Sequence, residues 1–181
     1  MKTQVKRSIL TVLAGSILLA ALALPLASCG DSTPGTPNAT AMTPEQKIAR
    51  GRYLVLVGSC NECHTPDFAE QGTKVPEEKW LTGVPIGWKG PWGTTYASNL
   101  RKTCQLYPED GFVNTMKTAK GHTGRPPMPW TALASMTDAD LGAIHAYIKS
   151  LGDSGVVMPT ALLPGKDPET PYIDETPRNL K

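Results

Sequence analysis

The stretch Cys60-Asn61-Glu62-Cys63-His64 decides the fold of this chain. Two thiols three residues apart at the end of a helix can reach the two vinyl groups on one porphyrin edge, and the next imidazole can then turn toward the iron. The C-x-x-C-H pattern therefore predicts one covalent haem c, attached through Cys60 and Cys63, with His64 as proximal iron ligand. We expect the other ring nitrogen of His64 to donate to a backbone carbonyl that sets the ring orientation.

Three other chemistries use cysteines at this spacing. A structural zinc site needs four ligands, so Cys60 and Cys63 would have to recruit Cys104 and a histidine, and the chain has no second C-x-x-C. A thioredoxin-like dithiol requires a neighbouring βαβ pattern, which is not visible. A simple disulfide, or two unpaired thiols, is the remaining alternative. The sequence favours haem over all three.

The second axial ligand has to come from downstream of the motif. The candidates are Met116, Met128, Met136, His122 and His145. Met128 is favoured because it lies in Arg125-Pro126-Pro127-Met128-Pro129-Trp130, a proline-stiffened loop that can hold a thioether in place without regular structure. His122 is its main rival.

The other three candidates have simpler roles. Met116 falls on the apolar side of a predicted helix and is expected in the core. Met136 directly precedes a helix cap, where a staple contact is expected. His145 borders an apolar stripe, and we expect a helix-surface or half-buried histidine there.

Helix signals occur at three places. A capping box at Thr43-Pro44-Glu45-Gln46 starts a helix that runs to about Val57. A second helix is predicted from Pro108 to Gly121, and a third between the Thr137 cap and Gly152. Residues 65–107 show no sustained period, so we expect a loop that a cofactor organises. The predicted fold class is all-α, with about three main helices and long loops around one covalent haem.

The N-terminus has the pattern of an export signal. Residues 1–7 are basic, residues 8–24 are almost wholly apolar, and Leu26-Ala27-Ser28-Cys29 resembles a bacterial lipobox. We therefore expect residues 1–28 to be removed and Cys29 to carry acyl chains that anchor the protein to a membrane. A spanning helix and cleavage by ordinary signal peptidase, with Cys29 a bystander, are the alternatives.

Composition limits the remaining choices. The 17 Gly and 17 Pro among 181 residues exclude collagen, coiled coil and simple helical bundle. The chain has 18 basic and 16 acidic residues, and removing the three basic residues of positions 1–28 leaves 15 against 16, so no nucleic-acid footprint is present. We predict a flexible tether at 29–42, a domain at 43–152 and a Pro-rich C-terminal extension at 153–181, either disordered or an extended strap, with partial docking favoured.

The segment from Thr43 to Gly152 resembles a class I cytochrome c domain. In detail it is similar to the monohaem units of cytochrome subunits from membrane-bound bacterial alcohol and sugar-acid dehydrogenases. The matching stretches, besides the C-x-x-C-H motif, are Arg50-Gly51-Arg52-Tyr53, Trp80-Leu81-Thr82-Gly83, Tyr96-Ala97-Ser98-Asn99-Leu100, Asp110-Gly111-Phe112-Val113, residues 121–130, Asp140-Leu141 and residues 146–151. The resemblance implies His64 and Met128 as axial ligands, and a first and third helix that cross near Gly51 and Tyr147.

Two features depart from those dehydrogenase subunits. They carry several haems, whereas this chain has one C-x-x-C-H motif, so a dehydrogenase partner does not follow from the resemblance alone. Cys104 is left over once Cys29, Cys60 and Cys63 are assigned, and we expect it to be buried, with an intermolecular disulfide as the alternative.

The expected function is single-electron transfer in the bacterial envelope, on the periplasmic side. His/Met ligation fills both axial positions and raises the reduction potential. Expected partners are a dehydrogenase, a quinol-oxidising complex or a terminal oxidase. A fixed haem subunit of a larger oxidoreductase and a haem-based sensor with a labile sixth ligand are the alternatives. We expect the tryptophans to pack around the porphyrin: Trp80, Trp88, Trp92 and Trp130. The alternative is that an indole N–H donates to a haem propionate, with Arg101 as a cationic partner.

Overall fold

The computed structural model describes residues 42–119 and 124–178. Within them the α-helices are α1 (Pro44–Val57), α2 (Cys60–His64), α3 (Phe68–Gln71), α4 (Leu100–Leu106), α5 (Glu109–Thr118), α6 (Trp130–Ser135) and α7 (Asp138–Ser150). Two 3₁₀ turns, Gly72–Lys74 and Glu77–Lys79, follow α3. The three longest helices, α1, α5 and α7, confirm the three that the sequence predicts. The predicted signal peptide, Cys29 and all but the last residue of the predicted tether lie outside the described residues.

Side-chain caps explain where the helices α1 and α7 begin. At the start of α1 the Thr43 hydroxyl accepts a bond from Gln46 N at 3.2 Å, and Gln46 Oε1 accepts one from Thr43 N at 2.9 Å. This is the predicted capping box, with Pro44 at the first helical position. At the start of α7 the Thr137 hydroxyl accepts from Asp140 N at 3.1 Å. Each cap satisfies a backbone N–H that the first helical turn leaves free.

The helices α1 and α7 cross with their backbones in direct contact at Gly51. A Cβ at this position would lie 1.9 Å from the carbonyl oxygen of Ala143 and 2.7 Å from Tyr147 Cβ. Any larger residue at position 51 would therefore push the two helices apart. The crossing that the resemblance implies is confirmed.

A small mixed sheet makes the all-α expectation wrong in part. Strand β1 (Val84–Gly90) pairs antiparallel with β2 (Gly93–Ala97) and parallel with β3 (Tyr172–Asp174), giving the order β2-β1-β3. Strands β1 and β2 form a hairpin. Both lie within residues 65–107, where the sequence shows no sustained period. Their burial does not alternate, because β1 has a register shift and is flanked by a strand from the far end of the chain. A sequence pattern of period two is therefore missing.

Residues 153–178, which we call the C-terminal strap, lie along the hairpin. Leu162 and Thr94 exchange two backbone hydrogen bonds, at 2.8 and 3.0 Å, and Gly87 N donates to Pro171 O at 2.9 Å. The close approach depends on Gly93, where a Cβ would lie 2.1 Å from Leu162 O. In the described residues the extension is thus a docked strap rather than a free tail.

The core lies between the helices and the loop that carries the hairpin. Its fully buried members include Val55 of α1, Leu81 of the loop, Cys104 of α4 and Leu141 of α7, each at 0% exposure. Cys104 is buried, as the sequence analysis predicts. Among the described residues, no helix has the length and hydropathy needed to cross a bilayer.

Candidate functional site

The C-x-x-C-H motif forms the short helix α2 directly after α1. Gly58 ends α1 by donating its N–H to Leu54 O at 2.8 Å, and Ser59 separates α1 from α2 with a left-handed φ of 55°. Cys60 and Cys63 are half-buried and form no disulfide, and Cys60 packs against the core. Burial raises the pKa of the Cys60 thiol to about 11 and also raises that of Cys63, to which the charges of Glu62 and Glu175 add. Both thiols are therefore neutral at pH 7 in this structure.

His64 is buried, and one ring nitrogen is committed to the backbone. Its Nδ1 lies 2.8 Å from the carbonyl oxygen of Ser98, just after β2. Because a carbonyl can only accept, Nδ1 carries the hydrogen and Nε2 holds the lone pair. Burial lowers the pKa of His64, against the opposing effect of the Ser98 bond. The neutral ring thus presents Nε2 as its free ligand atom, and the expected bond to a backbone carbonyl is present.

A network around Thr65 fixes the segment that follows α2. The Thr65 hydroxyl donates to Asn61 Oδ1 at 2.7 Å and accepts from Leu81 N at 2.7 Å. Gly83 N donates to His64 O at 2.8 Å. These bonds tie the motif to the loop before β1, and sequence reasoning missed them because Asn61 and Thr65 are ordinary polar residues without a pattern of their own.

Met128 lies in the irregular segment 124–129 before α6, as the prolines predict. It is half-buried and packs against the same core cluster as Cys60. Trp130 closes the segment, since its Nε1 donates to Arg125 O at 3.1 Å and its backbone N to Met128 O at 2.9 Å. The Thr95 hydroxyl of β2 donates to Pro126 O at 2.7 Å. Sequence reasoning also missed Thr95, because nothing in the sequence distinguishes it from the neighbouring residues of β2.

The rival ligand candidates have other surroundings. Met116 is buried in α5, as expected, and Met136 is half-buried just before the α7 cap. His145 is buried at 5% exposure, so the expectation of a helix-surface or half-buried side chain was wrong. Its Nε2 lies 3.0 Å from Tyr107 O, and its ring packs 5.4 Å from that of Phe112. His122 lies outside the described residues.

Arg101 serves the end of α7. It is 6% exposed, and it donates to the carbonyl oxygens of Glu78 at 2.8 Å and Gly152 at 2.7 Å. A third bond goes to Leu151 O. Leu151 and Gly152 directly follow α7, so the buried guanidinium lies at the negative end of the helix and stabilises it. This structural role accounts for Arg101, which the sequence offers as a candidate cationic partner of a haem propionate.

The donors in this part of the chain fit a haem. Asn61 Nδ2, Trp92 Nε1 and Thr94 Oγ1 are buried and have no hydrogen-bond partner among the described residues. Trp80 and Trp130, by contrast, bond their indole N–H to backbone carbonyls. A buried N–H needs an acceptor, and a propionate carboxylate is one. An imidazole, a thioether and two thiols complete the donor set that haem c uses.

A zinc site has no such support from the geometry. Within residues 42–119 and 124–178, no group of three or more His, Cys, Asp and Glu side chains is arranged to hold a metal ion. Cys104 points into the core, where burial raises its thiol pKa to about 12.

Comparison with known proteins gives a consistent family. The chain matches the cytochrome c family over residues 48–152. It is 27% identical over 154 residues to a subunit of nicotinate dehydrogenase from Pseudomonas putida, covering 79% of this chain and 12% of that protein. It is 28% identical over 124 residues to the gluconate 2-dehydrogenase cytochrome c subunit of Pantoea cypripedii, covering 62% and 26%.

A third relative is the cytochrome c subunit of the quinone alcohol dehydrogenase of Gluconacetobacter polyoxogenes. The identity is 31% over 121 residues, covering 60% of this chain and 23% of that protein. The chain thus spans about a quarter or less of the length of these curated relatives. No solved structure gives a significant match.

The family match covers more than half of the chain and includes α2, the hairpin, the Met128 segment and α7. The chain contains one C-x-x-C-H motif, which corresponds to one haem. The resemblance seen in the sequence is therefore confirmed: this chain belongs to the cytochrome c family, whose cofactor is a covalently attached haem c.

Proposed function

We propose that this protein is a monohaem electron carrier whose haem is attached through Cys60 and Cys63 and ligated by His64 and Met128. Such a haem supplies an iron that takes up and releases one electron. The observation that carries the proposal is the bond from His64 Nδ1 to Ser98 O, which leaves Nε2 as the ligand nitrogen. The half-buried Met128, in a segment fixed by Thr95 and Trp130, supports a thioether as the second ligand.

The chain's own residues then limit the chemistry to electron transfer. His64 and Met128 would hold the iron, so a small molecule would have to displace the Met128 thioether before it could bind. Burial of His64 and of the core around it lowers the local dielectric and thereby tunes the potential. No residue of the site is required to move a proton.

The proposed place of action is the periplasmic side of the bacterial envelope, with acyl chains on Cys29 as the anchor. The lipobox-like sequence Leu26-Ala27-Ser28-Cys29 supports the anchor. Confinement near a membrane raises the effective concentration of the carrier toward membrane-bound partners. The expected partners are a dehydrogenase, a quinol-oxidising complex or a terminal oxidase. Replacing Cys29 by Ala should move the protein from the membrane fraction to the soluble fraction.

A second candidate is a fixed haem subunit of a larger oxidoreductase. The names of the relatives support it, since two of them are called cytochrome c subunits of dehydrogenases. Isolation under mild detergent distinguishes the two functions. A carrier is recovered alone, whereas a fixed subunit is recovered in constant ratio with a catalytic partner.

Carbon monoxide binding tests the proposal against a haem sensor. We expect the ferrous protein not to bind CO at neutral pH, because Met128 occupies the position that CO needs, and we expect Met128→Ala to bind it. Met136→Ala is the matched control, since Met136 is also half-buried against the core but is not a proposed ligand. Rapid CO binding by the wild-type protein would favour the sensor and contradict the carrier.

A further inference from the structure

The segment that carries Met128 has few ways to be held. Three of its six residues, Pro126, Pro127 and Pro129, have no backbone N–H, so its backbone is anchored mainly through carbonyl acceptors. Among the described residues, four hydrogen bonds reach these carbonyls. Two come from the neighbouring Trp130, one runs from Leu133 N to Pro129 O at 3.1 Å, and the fourth comes from Thr95 of β2.

The Thr95 bond differs from the other three in where it comes from. Trp130 and Leu133 belong to α6, which directly follows the segment, whereas Thr95 lies 31 residues earlier in the chain than its acceptor. Its hydroxyl donates to Pro126 O at 2.7 Å, two residues before Met128, and the side chain is half-buried. The Arg125 guanidinium of the segment makes a longer contact, 3.5 Å from Nη1 to Leu162 O of the strap. The shorter Thr95 bond therefore joins the segment to the hairpin two residues before Met128.

The hairpin that carries Thr95 is itself held by the C-terminal strap, through backbone bonds at the edge of β2 and a side-chain bond from Tyr96. Side chains alternate along a strand, so Thr95 points away from the face used by Thr94 and Tyr96. Thr94 is fully buried and pairs through its backbone with Leu162 of the C-terminal strap. Tyr96 bonds its hydroxyl to Thr170 of the strap at 2.9 Å. Thus β2 is bonded both to the strap and to the Met128 segment.

We propose that Thr95 is a positioning residue for Met128, holding the segment so that the thioether stays on the iron. This inference rests on the proposed ligation by Met128. It assigns to the hairpin, which sequence reasoning took for loop, a part in setting how readily the sixth ligand is displaced. The hydroxyl acts through Pro126 and does not itself contact the cofactor in the proposal.

Imidazole, which competes with the thioether for ferric iron, is the probe. In the holoprotein with its strap, Thr95→Val keeps the side-chain shape and removes the donor. A neutral hydrogen bond of ordinary strength corresponds to roughly a fivefold change in an equilibrium. We therefore expect Thr95→Val to bind imidazole about fivefold more tightly than the wild type. Thr95→Ser, which restores the hydroxyl, should stay within about twofold of the wild type.

Thr170→Val is the matched control. It removes the bond between the Thr170 hydroxyl of the strap and the Tyr96 hydroxyl of β2, the strand that also carries Thr95. Imidazole affinity near that of the wild type in Thr170→Val, with tighter binding in Thr95→Val, supports the proposal. Equal affinities in Thr95→Val and the wild type overturn it, as does equal tightening in both variants. If Thr95→Val does not retain haem, Thr95→Ala is measured with the same expectation.

Failure of the proposed ligation would look different. If Met128→Ala and the wild type bind imidazole alike, Met128 is not the ligand and both proposals fall. If Met128→Ala binds imidazole much more tightly while Thr95→Val behaves as the wild type, the ligation stands and only the role of Thr95 is lost.

Discussion

At the residue scale, two buried groups with opposite pKa behaviour stay neutral for the same reason. Burial lowers the pKa of His64 and raises that of Cys104 to about 12, because the low-dielectric interior disfavours the charged form of each. For His64 the neutral ring is what a ligand nitrogen requires. For Cys104 the neutral thiol is a small apolar side chain that fills the space beneath α7, with no exposed surface.

The Cys104 thiol should make stability fall at alkaline pH. In the unfolded chain it loses its proton at about pH 8.5, whereas the folded protein holds the proton up to a pKa of about 12. Between these values the native state binds more protons than the unfolded state, so the free energy of unfolding decreases as pH rises, by at most about 1.4 kcal/mol per pH unit from this group. Urea unfolding of wild type and Cys104→Ala at pH 8 and 10 measures the difference. The variant should lose less stability over this interval, and equal losses would contradict the assignment.

At the element scale, the contact between α1 and α7 depends on glycine at position 51, which has no side chain. Gly51 costs about 1 kcal/mol of helix propensity relative to Ala, yet a Cβ there would collide with the backbone of Ala143. Backbone atoms cannot rotate out of the way as a flexible side chain can. Close packing at the crossing therefore requires glycine at position 51, despite the low helix propensity of glycine.

Gly51→Ala should destabilise the holoprotein by about 1–3 kcal/mol, because overpacking outweighs the propensity gain. Gly111→Ala in α5 is the matched control. A Cβ there meets nothing closer than 3.5 Å, at Pro108 Cδ, so that variant should be neutral or more stable by up to about 1 kcal/mol. Chemical denaturation of both variants provides the comparison. A Gly51→Ala protein as stable as Gly111→Ala would show that the helices do not meet as described.

The elements also show which parts of the fold a sequence can predict. Capping residues such as Thr43 and Thr137 act within a few residues of themselves, so the starts of α1 and α7 can be predicted nearly to the residue. Strand β1 pairs with β3, which lies more than 80 residues later in the chain. No local sequence pattern can predict such a distant partner. The C-x-x-C-H motif locates the site, because its chemistry is local. The Thr95 contact to Pro126 joins two segments that only the fold brings together.

At the scale of the whole molecule, the strap ties the end of α7 to the hairpin. It begins at Asp153, and Asn99 Nδ2 donates to the carbonyls of Ser154 and Val156 at 2.7 and 3.1 Å. It then follows the hairpin to β3, and Glu175 N donates to Lys89 O at 2.7 Å. The covered edge of β1 would otherwise expose unpaired backbone groups.

Two truncations test the strap in separate steps. A chain ending at Pro168 loses β3 but keeps Leu162, so the amide of Gly87 should exchange with solvent faster while that of Thr94 stays protected. A chain ending at Val157 loses both partners, and both amides should exchange faster. Hydrogen exchange on the haem-loaded proteins gives the rates. Unchanged protection of Gly87 in either truncation would contradict the parallel pairing of β1 with β3.

The ferric optical spectrum of the holoprotein tests the central claim, which is that His64 and Met128 are the two axial ligands. The comparison needs the wild type, Met128→Leu and the matched control Met136→Leu, all with haem attached. We expect a low-spin spectrum with a sulfur-to-iron charge-transfer band in the wild type and in Met136→Leu, and loss of that band in Met128→Leu alone. A high-spin wild type, or a band that survives in Met128→Leu, would contradict the account.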